Sequence, residues 1–318
     1  MAKLRAAILD DYQNVALRLA DWSALPGVDI QVFTEPFASP QAAIAALKDF
    51  EIVVGMRERT PFPRATIAAL PKLKLLITTG AKNNSFDLKA AAEHGVTVCG
   101  TGTVGAPTVG IAFGLMLELT RRIGFENQRM KAGEPWQVTV GRDLEGLTLG
   151  VVGFGKLGHR VASVAQAFGM KVTAWSQNLK PEDAEKAGVG YATKEALFRE
   201  ADIVTIHYAL SDRSRGVVGA ADLGRMKRDA CLINTARGPL VDEAALLAVL
   251  RDKRIAGAGL DVFDVEPLPV DHPFRSLDNV VLTPHLGYVS EQNYRVYFRD
   301  IVEDIRAFVD GKPVRVIS

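Results

Sequence analysis

The chain has 318 residues, is 48% hydrophobic and carries a formal net charge of +1. That length and apolar content suffice for a large core in about two domains, and the near-neutral balance leaves no electrostatic footprint for nucleic acid or an anionic membrane. The opening MAKLRAAILDDYQN is too acidic and too short in apolar run for a signal peptide, and no apolar stretch reaches the roughly 18 residues of a membrane span, so a cytoplasmic location is expected.

In chain order, LRAAILD, VDIQVFT, EIVVGM, LKLLITT and VTVC read as short strands, separated by segments of helical spacing such as SPQAAIAALKDF and SFDLKAAAEHG. There follows APTVGIAFGLMLELTRRIGFENQRMKAG, a helical run of about 25 residues, long for a globular protein and expected to act as a connecting arm. A second alternation runs from Leu147 to about Thr283. Its strands include LTLGVVG, MKVTAW, DIVTIH, ACLINTA, AGAGLDV and NVVLTPH, with EAALLAVLRDK a helix between two of them. After His285 comes one more amphipathic segment, EQNYRVYFRDIVEDIRAFVDG, ending in VRVIS. Strands alternating with helices predict an α/β fold of two doubly wound parallel-sheet domains. There is no low-complexity linker and no internal repeat. Cys99 and Cys231 lack CxxC or Cys/His spacing, so they read as buried free thiols, with no zinc site.

GFGKLG, after LTLGVV and before a helix, carries the dinucleotide fingerprint. Gly153, Gly155 and Gly158 permit a tight turn, close backbone approach to a pyrophosphate and close helix-on-strand packing; Phe154, Lys156 and Leu157 complete the turn. Where an acid usually holds the adenosine ribose, this chain has Ser176, Gln177 and Asn178. Their side chains can hydrogen-bond a 2′-phosphate, yet no arginine follows, so the cofactor is NAD or NADP with a slight lean to NADP. A second G-x-G-x-x-G, GTGTVG at Gly100, Gly102 and Gly105, lacks the second strand of a βαβ unit and reads as a flexible interdomain crossing.

Three later segments, NTARGPLVDEAAL, GLDVFDVEPLP and NVVLTPHLG, combine more specifically than any one alone. With them the sequence resembles the D-isomer-specific 2-hydroxyacid dehydrogenases, glyoxylate and hydroxypyruvate reductases among them, over nearly the whole chain. The resemblance implies a Rossmann cofactor domain and a flavodoxin-like substrate domain, with Arg237, Glu266 and His285 as catalytic residues. The chemistry suits those types. Reducing a 2-oxo acid needs a hydride at the carbonyl carbon and a proton at its oxygen. His285 can supply that proton near neutral pH; Glu266 can orient the imidazole and favour its charged form; Arg237 can grip the substrate carboxylate or polarise the carbonyl. No metal is required. The resemblance also places His207, Thr235, Ala236, Asp261 and Gly287 on the cofactor side, although Ala209 stands where a proline is usual after His207.

On the substrate side, TTGAKNNSFDL matches the family's carboxylate-binding loop, making Gly80, Ala81, Lys82 and Asn83 candidate backbone donors, with Arg57 and Arg59 just beyond EIVVGM. The implied layout is discontinuous: residues 1–101 and 288–318 form the substrate domain, 102–287 the NAD(P) domain, with the active site in the cleft between. The expected function is an NAD(P)-dependent reductase of a small 2-oxo acid, glyoxylate or hydroxypyruvate, in a homodimer with neither nucleic acid nor membrane as partner. The alternative is a cofactor-sensing regulatory protein of the same fold, like the corepressors that share it.

Overall fold

The computed structural model describes residues 3–317; residues 1, 2 and 318, at the outer ends of the expected 1–101 and 288–318 segments, lie outside the described residues. Two compact units emerge. One comprises the chain up to Gly105 with the segment from Ser290 onward, and the other is Ala106–Val289. No helix among the described residues is long and apolar enough to cross a membrane.

The first unit is built on five parallel strands, β1 (Leu4–Ile8), β2 (Val28–Val32), β3 (Ile52–Gly55), β4 (Leu75–Thr78) and β5 (Thr97–Gly100), in the order β2-β1-β3-β4-β5. The residues of β3 and β4 are buried throughout. Continuous apolar runs of this kind suit parallel strands covered on both faces. Leu9, Leu47, Phe50, Val53, Ile67 and Leu76 make up much of the core, with Phe62 edge-on to Phe86 at 5.3 Å; burying each large apolar side chain contributes about 1.5–3 kcal/mol. The returning helix Glu291–Val309 is capped by Ser290 and buries Tyr294, Tyr297, Phe298, Ile301 and Ile305.

That helix also decides what GTGTVG does. The Gly102 N–H donates to Asp300 Oδ2 at 2.8 Å and the Val104 N–H to Asn293 Oδ1 at 3.2 Å. Amides engaged by a carboxylate and a carboxamide cannot receive a phosphate, and the segment is pinned where flexibility was expected.

The second unit holds seven parallel strands: β6 (Thr148–Val152), β7 (Lys171–Trp175), β8 (Gly190–Tyr191), β9 (Ile203–Ile206), β10 (Cys231–Asn234), β11 (Gly257–Leu260) and β12 (Val280–Leu282). Their order is β12-β11-β10-β9-β6-β7-β8. The two-residue β8 and the helices Pro181–Lys186, Lys194–Glu200 and Ala220–Arg225 are too short to leave a clear period in the sequence.

The expected single connecting helix is instead two, Pro107–Arg121 and Ile123–Lys131, broken at Arg122, which is left-handed (φ 52°, ψ 41°). Glu118 explains the break. Its carbonyl accepts from the Arg122 N–H at 2.8 Å while its Oε2 takes the Gly124 N–H at 2.7 Å, so a side chain replaces the next helical acceptor. The first of the two is no free arm either, because Val109, Ala112, Phe113, Leu115 and Met116 are buried in the core of the second unit.

Candidate active site

The turn after β6 is closed by two contacts that only glycine allows. A Cβ on Gly153, whose φ is +95°, would stand 2.7 Å from the His207 carbonyl carbon, and one on Gly158 would stand 2.3 Å from the Gly153 oxygen. Helix Lys156–Ala167 therefore starts hard against the sheet. Its N-cap, Gly155, has no side chain with which to bond the leading amides and has open space at its Cα, at the positive end of the helix dipole. Phe154 is buried and stacks on His159 at 4.0 Å; Lys156 is exposed and Leu157 half-buried.

At the carboxyl ends of neighbouring β9 and β10, His207 Nδ1 and Thr235 Oγ1 are buried with no hydrogen-bond partner among the described residues. His207 Nε2 lies 2.9 Å from Thr205 Oγ1, and burial pushes this imidazole down to about 4, so it is neutral. Buried polar atoms left over in this way are what a bound dinucleotide would satisfy. Ser176 is half-buried and Gln177 and Asn178 are exposed just beyond β7, with no carboxylate among the three. The residues present therefore fit an NAD(P) cofactor.

The three ionisable residues emerge from the ends of β10, β11 and β12. Arg237 follows β10 and is half-buried, with Nη1 donating to the Ala236 carbonyl at 2.7 Å. Asn234 braces its loop, donating to the Arg237 carbonyl at 2.9 Å and accepting from the Ala236 N–H at 3.0 Å. Glu266 Oε1 accepts from the Phe263 N–H at 3.0 Å, and its Oε2 lies 2.6 Å from His285 Nδ1. Both side chains of that pair are more than four-fifths buried. His285 itself is left-handed (φ 54°), and Tyr288 meets its ring edge-on at 5.6 Å.

Asp261 holds that loop in place. Its Oδ1 accepts from Thr283 Oγ1 at 2.5 Å and the Leu286 N–H at 2.7 Å, while Oδ2 accepts from the Gly287 N–H at 2.8 Å. Burial raises its pKa above the usual carboxylate range, and the three donors pull the other way. The carboxylate expected on the cofactor side is thus engaged in anchoring both flanks of His285. Gly287 is buried, and its carbonyl accepts from Thr108 Oγ1 at 2.8 Å.

In the first unit, the loop after β4 is built from the same kind of side-chain anchoring. The Gly80 N–H donates to Thr101 Oγ1 at 2.7 Å, and the buried Asn83 side chain bonds the Arg57 carbonyl at 2.6 Å and Thr78 Oγ1 at 2.9 Å. Ala81 and Lys82 are exposed between them. Arg57, left-handed at φ 53°, directs Nη1 to the Thr79 carbonyl at 3.1 Å.

Asn234, Tyr208, Tyr288 and the anchoring role of Asp261 escaped the sequence reading. Only the motif position of Asn234, three residues before Arg237 in NTARG, offered a signal.

The profile of the family described as D-isomer specific 2-hydroxyacid dehydrogenase, NAD binding domain, matches residues 113–287. The chain is 37% identical to a hydroxypyruvate reductase of Thermotoga maritima over 311 residues, covering 96% of this chain and 98% of that one. It is 35% identical to a glyoxylate reductase of Korarchaeum cryptofilum over 282 residues, 86% of this chain and 84% of the relative. Among solved structures, a phosphoglycerate oxidoreductase of Vibrio cholerae superposes with a TM-score of 0.92 at 36% identity, covering 98% of this chain and all of that one.

Proposed function

The chain belongs to the D-isomer specific 2-hydroxyacid dehydrogenase family and is an NAD(P)-dependent oxidoreductase; from that premise we propose that it reduces glyoxylate or hydroxypyruvate to the 2-hydroxy acid, with Arg237, Glu266 and His285 as its catalytic residues. The observation that carries the residue assignment is the 2.6 Å bond between His285 Nδ1 and Glu266 Oε2 at the strand ends of an open sheet, where such folds bind ligands. The substrate reading is supported by the relatives named glyoxylate and hydroxypyruvate reductase.

Bound NAD(P)H supplies the hydride for the carbonyl carbon. The chain supplies the proton and the grip. With Nδ1 tied to Glu266, the transferable proton of His285 sits on Nε2 and passes to the carbonyl oxygen, leaving a neutral imidazole still oriented by the carboxylate. Arg237, permanently charged, holds the substrate carboxylate or polarises the carbonyl. The Ala81 and Lys82 amides and Arg57 receive the carboxylate end of the substrate, while Gly80 and Asn83 shape that loop through Thr101 and Thr78. The amides of the Gly153–Gly158 turn hold the pyrophosphate, and His207, Thr235 and Ala236 line the nicotinamide side. Ser176, Gln177 and Asn178 take the adenosine ribose, the missing acid favouring NADP slightly.

We place the enzyme in the cytoplasm, in keeping with two buried free thiols. A homodimer is supported by exposed apolar side chains clustered in one stretch, Ile123, Met130, Trp136, Val138 and Val140.

The test is a set of initial rates with glyoxylate, hydroxypyruvate, pyruvate and larger oxo acids, each with NADH and NADPH, for wild type and His285→Ala. Glyoxylate or hydroxypyruvate with NADPH should give the highest kcat/KM, and the variant should lose about 10²- to 10⁴-fold in turnover. A larger oxo acid as best substrate overturns the substrate assignment, and near-wild-type turnover in His285→Ala overturns the proton donor.

A further inference from the structure

We propose that Tyr208 reads the 2′ position of the adenosine ribose, donating its phenol proton to a 2′-phosphate and so setting the preference for NADP(H). The proposal rests on the reading of the Gly153–Gly158 turn as the dinucleotide site. Tyr208 follows β9, and β6 separates β9 from β7 in the sheet. The side chain nonetheless spans that gap. Its ring stacks on Trp175, the last residue of β7, with centroids 6.1 Å apart and planes 26° apart, and its Oη accepts from the Gln177 N–H at 3.2 Å. Its backbone is fixed beside the glycine turn, since the Tyr208 nitrogen lies 2.8 Å from where a Gly153 Cβ would be.

The chemistry follows from which groups remain available at that corner. An acid after the second strand selects NAD by accepting from the ribose hydroxyls and repelling a 2′-phosphate. Here Ser176, Gln177 and Asn178 offer neutral hydrogen-bonding groups only. Lys194, whose Nζ lies 5.6 Å from the Trp175 ring centroid, is paired with Asp222 at 2.7 Å, so its charge is already matched. Tyr208 accepts through its oxygen from the Gln177 amide, which polarises the phenol and strengthens it as a donor. Its O–H then finds its best acceptor in an anionic oxygen, to which hydrogen bonds are shorter and stronger than to a neutral hydroxyl. The phenol thus supplies a donor directed by its stacking and its bond to Gln177, whereas Lys180, the nearest cation after β7, is an exposed side chain.

Calorimetric titration of the cofactor-free protein with adenosine 2′,5′-bisphosphate and with 5′-AMP tests this at the adenosine end alone, without turnover. Wild type should bind the bisphosphate more tightly than 5′-AMP. Tyr208→Phe, which keeps the stacked ring, should weaken the bisphosphate about ten- to a hundredfold while changing 5′-AMP by less than about twofold. Equal losses for both ligands, or no loss for the bisphosphate, overturn the proposal. Wild-type preference for 5′-AMP likewise overturns the claim that Tyr208 sets a preference for NADP(H). Failure of wild type to bind either nucleotide overturns the dinucleotide reading and the proposal together.

Discussion

Gly238 offers the sharpest test of how this site is held together. It follows Arg237 directly, and a Cβ built on it would lie 2.1 Å from the Phe263 carbonyl carbon, 2.3 Å from its oxygen and 2.5 Å from the Asp264 nitrogen. All three are backbone atoms, so no side-chain rotation can make room. In Gly238→Ala the two loops must part by roughly 1 Å to reach a tolerable contact, the scale on which overpacking costs about 1–3 kcal/mol. The displaced Phe263–Asp264 peptide lies on the other side of the Phe263 Cα from the N–H that holds Glu266 Oε1 at 3.0 Å, so the change moves Arg237 relative to the Glu266–His285 pair. A misplacement of about 1 Å costs on the order of 10²-fold in rate. The expected result is a kcat/KM lowered about a hundredfold and a Tm lowered by about 2–12 °C, with NADPH affinity within about threefold because the Gly153–Gly158 turn lies on another strand. Steady-state kinetics, differential scanning calorimetry and a fluorescence titration with NADPH measure the three. Full kcat/KM in the variant would refute the claim that this backbone contact sets the geometry, whatever its Tm.

Glu266→Gln keeps the size of the side chain but replaces the carboxylate that accepts from His285 Nδ1 at 2.6 Å with an amide, so the imidazole is no longer held in one tautomer and kcat should fall by about 10²-fold or more; an unchanged kcat would reduce Glu266 to a steric support. The pH prediction concerns Asp304, fully buried on the returning helix opposite Arg315 at 2.9 Å and pushed up to about 7 by burial. Because its folded value lies above the unfolded 3.8, it contributes stability that is present below about pH 4 and lost as pH rises through about 7. Asp304→Asn cannot titrate, so its urea midpoint relative to wild type should rise between about pH 4.5 and 7.5. An equal gap at the two pH values would exclude this role.

The sequence by itself determined the fold class and pointed to the chemistry, because both depend on local signals. Apolar runs such as IVVG and LLIT have no alternation, which is the mark of strands buried on both faces, and they are interleaved with helical periods long enough to read. GFGKLG, NTARG and TPH are short motifs whose residue types suit one reaction. Elements below two turns, such as β8 and the helix Ala220–Arg225, left no such mark, and the break at Arg122 depends on where one glutamate side chain finds its donors.

What only the tertiary structure decided is which polar atoms are already engaged. GTGTVG and GFGKLG share a pattern, yet the first gives its amides to Asn293 and Asp300, 189 and 198 residues away in the chain, while the second caps a helix with nothing. Asp261 was expected on the cofactor side, and only the fold shows that its oxygens also meet Thr283, Leu286 and Gly287. Tyr208 carried no signal until β9 and β7 were set two places apart in one sheet, within reach of a single phenol. A hydrogen bond depends on distances of about 3 Å between groups that can be far apart along the chain, so its partners are legible only once the strands have been ordered.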